Sequence, residues 1–472
     1  MNRLLPAFLA LFILTGTSRG DALPVVKHLG LRMHVLPSKQ TFTCEARITV
    51  LNATISDVME LPFVLYRLFI VESLHDDAGS PLTFSQAVAS FEDEKTLQVN
   101  RVVVRLPAPL LPGDSIVLEM AYGGYLLGYT EVMAYVHDRI DEEYSLFRPD
   151  AFAFPALAFP SFSSVFGGID NLFTYDLIVT VPAAYSVATG GALTKRTVSD
   201  STATYEFTSR IPTGRLDIAV AKFAVTDEQA DGLSVYYLQG DEGGARNVLT
   251  GAKRAISYYS DRFGRPATYQ GYTIIEIPDG WGSQAGDFYF LQTGAAFKDS
   301  TRMPEVYHEI AHTWNPRSSA AVQRCRYFDE GFASYFQALA VGEFEGTRAF
   351  LAVMEKYRET FARWAGRDRT VASTPISGYG EKELGRHSYT KGAWSLYVLE
   401  QLVGENAFTD IIVALRERSA GSATDFDSFR RTAEEVSGLN LKTFFDEWIF
   451  GAESSRLLTE NIPIPDIVAR LR

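Results

Sequence analysis

Near residue 230 the hydrophobic pattern of this chain changes period, and that change limits the possible folds more than any other feature. Upstream, the stretches FTCEARITVLNAT (42–54), TLQVNRVVVRLPAP (96–109), SIVLEMAYGG (115–124) and FTYDLIVTVPAAYSVATGG (173–191) alternate polar and apolar residues or are rich in β-branched and aromatic ones. Gly, Pro, Asn and Asp punctuate them at about ten-residue intervals, the pattern of antiparallel sheets with one buried face. Downstream, ARNVLTGAKRAISYYSDRFG (245–264), RAFLAVMEKYRETFARWAG (348–366) and DFDSFRRTAEEVSG (425–438) repeat their apolar residues at helical spacing and end in glycine. Asp425 and Asn440 stand where helix N-caps are expected. One strand-rich segment, YTIIEIPDGWGSQAGDFYFLQTG (272–294), interrupts the helices. The expected class is α+β. An N-terminal antiparallel β-sandwich domain (21–228) precedes a small sheet and a mostly helical domain (229–455), with a C-terminal tail at 456–472.

At 472 residues the chain is long enough for two or three domains. With 46% hydrophobic and 21% charged residues it reads as globular rather than disordered. A net charge of -13 argues against nucleic acid as a partner, because phosphates require a basic footprint. The N-terminus has a basic Arg3, an apolar run from Leu4 to Leu14, and Ser18 and Gly20 in small-x-small spacing before Asp21. That is the anatomy of a secretory signal peptide over 1–20. No later segment has eighteen unbroken apolar residues, so no transmembrane span is expected in the mature chain. The expected destination is the periplasm or the outside medium. Cys44 and Cys325 are read as two separate thiols.

The sequence VYHEIAHTWNP (306–316) contains His308-Glu309-Ile310-Ala311-His312. On a helix the two histidines share a face one turn apart, where two imidazoles converge on one Zn²⁺. Pro304 suits the first helical turn, where its missing N–H costs nothing. Glu309 points beside the metal rather than at it, where a base would take a proton from a bound water. The plainer reading is two surface histidines on an amphipathic helix. Only seven histidines occur in the chain, however, and two of them are here. A catalytic zinc needs a third protein ligand. With seventeen residues between it and His312, Glu330 stands at the start of the next helical run, YFDEGFASYF (327–336). The alternative is that Asp329 and Glu330 only favour a helix N-terminus electrostatically.

His308-Glu309-x-x-His312-Thr313-Trp314 followed by Glu330-Gly331-Phe332-Ala333-Ser334-Tyr335 resembles the gluzincin aminopeptidases of the alanyl aminopeptidase family. HSYTKGAWSLYVLEQLVGENAF (387–408) resembles that family's catalytic-tyrosine segment, with the match on Tyr389. FRPDAFAFPALAFP (147–160) resembles the close of its N-terminal β domain, and NLKTFFDEWIFG (440–451) the end of its catalytic domain. The resemblance covers nearly the whole mature chain. It implies a thermolysin-like catalytic domain with one Zn²⁺ per chain, held by His308, His312 and Glu330. Glu309 then acts as general base, and Tyr389 steadies the oxyanion.

Three departures matter. Glu330 lies one residue closer to His312 than is usual in the family, and Trp314-Asn315 is similar to the glycyl aminopeptidases. The family's glutamate that binds the substrate α-amine falls on Gly286 within SQAGD (283–287), with Asp287 adjacent and Gln284 on the same strand face. The β-domain residue that assists it falls on Leu146 or Phe147, with Glu142 and Glu143 nearby. Gln284, Gly286 and Asp287 are therefore the expected substrate-binding positions. The expected function is peptide-bond hydrolysis on peptide or protein substrates, foremost as an aminopeptidase. The alternatives are an endopeptidase or oligopeptidase of the same fold, and a peptide-binding module without catalysis.

Overall fold

A computed structural model describes residues 23–166, 171–228, 232–419 and 423–472; the expected signal peptide lies outside them. The first half is β-rich. Its largest sheet has seven strands in the order Ala192–Val198, Thr202–Thr208, Thr174–Pro182, Val25–Leu36, Thr41–Leu51, Ser115–Tyr125 and Phe69–Asp76. A four-stranded sheet built around Gln98–Leu110 and Val58–Tyr66 supplies the second layer. Along Thr41–Leu51, Phe42, Cys44, Ala46, Ile48 and Val50 are all buried, so the alternation read from the sequence is the inward face. The domain departs from a purely antiparallel sandwich in one pair. Val25–Leu36 and Thr174–Pro182 run parallel, with His28 opposite Thr174 and His34 opposite Thr180. Parallel neighbours need a long connection, and the four-stranded sheet forms part of the chain between them.

A three-stranded sheet, Ser186–Thr189, Ile218–Ala221 and Tyr144–Phe147, joins the two halves. Leu146, Ala188, Ala219 and Ala221 from it form one buried cluster with Ile275, Ile277, Trp281, Tyr289 and Leu291 of the next sheet. That five-stranded sheet runs Ala224–Glu228, Leu233–Tyr237, Tyr272–Ile277, Tyr289–Thr293 and Gln284–Gly286. Its first strand, Ala224–Glu228, pairs with Leu233–Tyr237, so this sheet begins slightly upstream of the change in sequence texture. Gln284–Gly286 is the edge strand and packs on the helix Met303–Ala311.

The helices follow the apolar spacing. Glu242–Phe263 buries Val248, Ala252, Ala255, Ile256, Tyr259 and Phe263 on one stripe. Asp425 caps Phe426–Ser437, its side chain accepting from the Ser428 N–H at 2.7 Å. Asn440 accepts from the Lys442 N–H at 3.0 Å as Lys442–Trp448 begins. The C-terminal residues are not a loose tail. They form the helices Glu453–Thr459 and Ile464–Leu471, and the second seats Ile467 and Leu471 in the core beside Lys391–Val403. Ile464, Ile467, Val468 and Leu471 recur at helical spacing behind Pro463, a short pattern that a reading of long runs overlooks. No helix among the described residues is long and apolar enough to cross a membrane. Cys44 and Cys325 are both free and buried.

Candidate active site

The helix Met303–Ala311 carries His308 and Glu309, and a tight turn His312–Trp314 extends it. Trp314 is fully buried and donates its indole N–H to the Gly264 carbonyl at 2.9 Å, anchoring the turn that holds His312. Glu330 sits in a π-helical turn, Tyr327–Gly331, that leads into the helix Phe332–Glu345. The wide turn is visible in the bond from the Gly331 N–H to the Arg326 carbonyl, five residues back. A straight α-helical start was the simpler expectation, and π-turns of this kind concentrate at functional sites.

Ligand atoms of His308, His312 and Glu330 all lie within 4.8 Å of one another, the one such cluster of three or more among the described residues. His308 Nε2 is 3.0 Å and His312 Nε2 3.7 Å from Glu330 Oε2. The other ring nitrogen of His312 faces Asp329 Oδ1 at 2.9 Å, with Asn315 Nδ2 3.1 Å away. Asn315 also donates to the Asp329 carbonyl at 2.7 Å. His312 is thus oriented from behind by a carboxylate, as metal-binding imidazoles commonly are. Two imidazole nitrogens and one carboxylate oxygen converging this closely fit the N/O donor set of a catalytic zinc.

The electrostatics follow from burial among charges. For His312, burial opposes protonation, but Asp329 and then Glu330 outweigh it and push the ring up to about 9. Burial and the neighbouring Asp329 both oppose charge on Glu330, yet the His308 hydrogen bond and Arg326 hold its carboxyl below the usual range. Glu309 is raised by desolvation, which the histidines only partly offset. A carboxylate of raised basicity suits a proton acceptor.

Tyr389 closes the site from the turn Gly385–Tyr389, its ring stacked on His308 at 5.7 Å between centroids and 9° between planes. Burial and the Glu330 charge raise its phenol, so it stays protonated and able to donate. The approach of this turn to the Glu330 turn depends on two glycines in backbone contact. A Cβ on Gly392 would lie 3.2 Å from the Gly331 Cα and 3.2 Å from the Tyr327 ring. Lys391, the residue before Gly392, is fully buried; its Nζ donates to Ser455 Oγ at 3.0 Å and to the Thr374 carbonyl at 3.4 Å.

The edge strand gives the structural account of the departures at 283–287. Gln284 is half-buried and faces the same way as Gly286, while Asp287 is exposed at the tip of the turn to Tyr289–Thr293. A Cβ on Gly286 would lie 2.1 Å from Tyr289 Cε1, because the tyrosine ring fills that space. The ring also lies against Gly190, where a Cβ would lie 2.1 Å from Tyr289 Cδ1. Its hydroxyl donates to Asp217 at 2.7 Å, and Asp217 pairs with Arg215. Leu146 and Phe147 are fully buried, and Glu142 and Glu143 are exposed. Sequence reasoning did not find Tyr289, since its partners are distant in the chain.

A second anchor reaches the same strand from the β-rich half. Arg148 is fully buried with Asp138 at 2.8 Å. Its Nη2 donates to the Trp281 carbonyl at 2.9 Å and its Nη1 to that of Gly282 at 3.4 Å, just ahead of Gln284.

Residues 291–448 match the peptidase family M1 domain, a span that includes both histidines, Glu330 and Tyr389. The chain carries an M1 peptidase domain. The match falls on the part of the chain that carries the motifs resembling the alanyl aminopeptidase type. Aminopeptidase N of Streptomyces lividans is 24% identical over 216 residues, 42% of this chain and 25% of that protein. Aminopeptidase N of Caulobacter vibrioides is 23% identical over 252 residues, 49% of this chain and 28% of its own. The chain therefore spans about a quarter of the length of the curated relatives it matches. The fold likeness is wider. The M1 zinc metallopeptidase of Deinococcus radiodurans has a TM-score of 0.64 at 20% identity, with 92% of this chain and 93% of that one covered. A mutant of that enzyme bound to a Tyr-Ser-Ala substrate has a TM-score of 0.64 at 18% identity, covering 94% and 96%. The M1 domain here thus sits in the same two-part architecture, a β-rich half followed by a helical one.

Proposed function

We propose that this chain is an exported peptidase that uses one zinc ion per chain, held by His308, His312 and Glu330, to hydrolyse peptide bonds, foremost from the free N-terminus of its substrates. The observation that carries the reading is the convergence of two imidazole nitrogens and a carboxylate oxygen within 4.8 Å, with Glu309 beside them and Tyr389 stacked on His308. Zinc bound there supplies Lewis acidity, which polarises a carbonyl and lowers the pKa of water towards neutrality. Glu309 accepts the proton of the attacking water and passes it to the leaving amine. Tyr389 donates its hydroxyl to the oxygen that gains charge as the substrate carbonyl becomes tetrahedral. The edge strand Gln284–Gly286 offers unpaired backbone groups along which a peptide can lie.

The N-terminal preference rests on the names of the relatives, and the placement outside the cytoplasm on the leader at 1–20. One observation favours internal cleavage instead. Tyr289 leaves no room for an amine-binding side chain at position 286. Free and acetylated versions of one peptide, digested with and without a zinc chelator, decide between them. Trimming of the free peptide alone supports the aminopeptidase; internal cuts in both support the rival. Glu309→Gln is expected to retain zinc and lose turnover by several orders of magnitude. Retained turnover would remove Glu309 from its role.

A further inference from the structure

Arg326 immediately precedes the ligand turn, and its backbone is left-handed, φ +55°. Its carbonyl accepts the N–H groups of Glu330 at 2.9 Å and Gly331 at 3.2 Å, which sets the turn. Its guanidinium takes one oxygen from each of two neighbouring carboxylates. Nε and Nη2 donate to Asp329 Oδ2 at 3.0 and 2.8 Å, and Nη2 also donates to Glu330 Oε1. The remaining oxygens face the histidines: Asp329 Oδ1 lies on His312 Nδ1, and Glu330 Oε2 on His308 Nε2. A planar fork of donors is suited to holding two acceptors in fixed directions, which a lysine ammonium does not do.

We propose that Arg326 is a positioning residue for the metal site. By occupying Oε1 it leaves Glu330 a single oxygen to offer the metal, and by occupying Oδ2 it keeps Asp329 turned towards His312. It also separates two adjacent carboxylates that would otherwise repel each other beside a cation site. The inference rests on the zinc reading above, and the experiment keeps the two apart. Half of the Arg326 side chain is exposed, so its removal opens no core cavity.

The test measures zinc affinity of the full chain by competition with a chromophoric chelator, beside thermal melting of the metal-free protein. Wild type, Arg326→Ala and Arg326→Lys are compared. Loss of an outer partner of this kind weakens metal binding by about 10- to 100-fold. That loss is expected for Arg326→Ala with metal-free melting unchanged, and a smaller loss for Arg326→Lys. Affinity within about twofold of wild type in Arg326→Ala, or in Arg326→Lys should the alanine variant not fold, overturns the proposal. So does a fall in affinity matched by a fall in metal-free melting, which assigns Arg326 to the fold alone. A wild-type chain that holds no zinc overturns the functional reading and this inference together.

Discussion

Lys391 is the sharpest place to test the physical account of this fold. Its ammonium is fully buried, and desolvation pulls it down from the ordinary lysine range to about 7. Its hydrogen-bond partners, Ser455 Oγ and the Thr374 carbonyl, are neutral, and the Phe361 and Tyr379 rings lie 5.6 and 5.7 Å from Nζ. In the unfolded chain the same group titrates near 10.4. Between these values the unfolded state binds a proton that the folded state does not, so stability rises with pH across that window. Below pH 7 both states are protonated and the burial cost is fully present. Each tenfold change in proton affinity is worth about 1.4 kcal/mol, so the cost is about 4 kcal/mol at pH 7 and about 1 kcal/mol at pH 9.5. Lys391→Met removes the titration while keeping most of the volume. Denaturant unfolding of wild type and variant, measured in parallel at pH 6, 7, 8.5 and 9.5, isolates the group by difference. The difference should be nearly level from pH 6 to 7. It should then move by about 3 kcal/mol in favour of wild type by pH 9.5. A difference that stays flat across the whole range would refute the depressed lysine and the argument built on its burial.

Other outcomes are expected at the site. Tyr389→Phe should leave zinc content unchanged and lower kcat by about 100- to 1,000-fold, the usual loss for one oxyanion donor; a drop in KM alone would contradict the role. Gly286→Glu should destabilise the protein by about 1–3 kcal/mol, because Tyr289 is confined by Gly190 and its bond to Asp217. A melting temperature equal to wild type, with a gain in preference for free N-termini, would show that the ring can yield.

The proposed zinc ligands were legible because the information is local. Two histidines four residues apart on one helix face constrain each other by backbone geometry alone, and Glu330 follows in a recognisable run. The alternating strands and the glycine-ended helices were legible for the same reason. What escaped is what depends on contacts far apart in sequence or on an irregular backbone. Asp329 read as a helix-terminus charge, whereas the π-turn swings it onto His312. Arg326 gave no signal, since its role requires a left-handed residue at the mouth of that turn. Tyr289 fills the space beside Gly286 only because Gly190 and Asp217 come from a different sheet and loop. The parallel pair within the β-rich half was hidden by the length of chain between its strands.

Arg148 belongs to the β-rich half, yet it grips the carbonyls of Trp281 and Gly282 just ahead of the edge strand Gln284–Gly286. The edge strand is therefore moored from the β-rich half, while His308, His312 and Glu330 all come from the helical half. Cut apart, the two halves would not share the enzyme's properties evenly. The second piece would keep both the three convergent side chains and the edge strand Gln284–Gly286, but it would lose the Arg148 anchor that fixes where that strand begins.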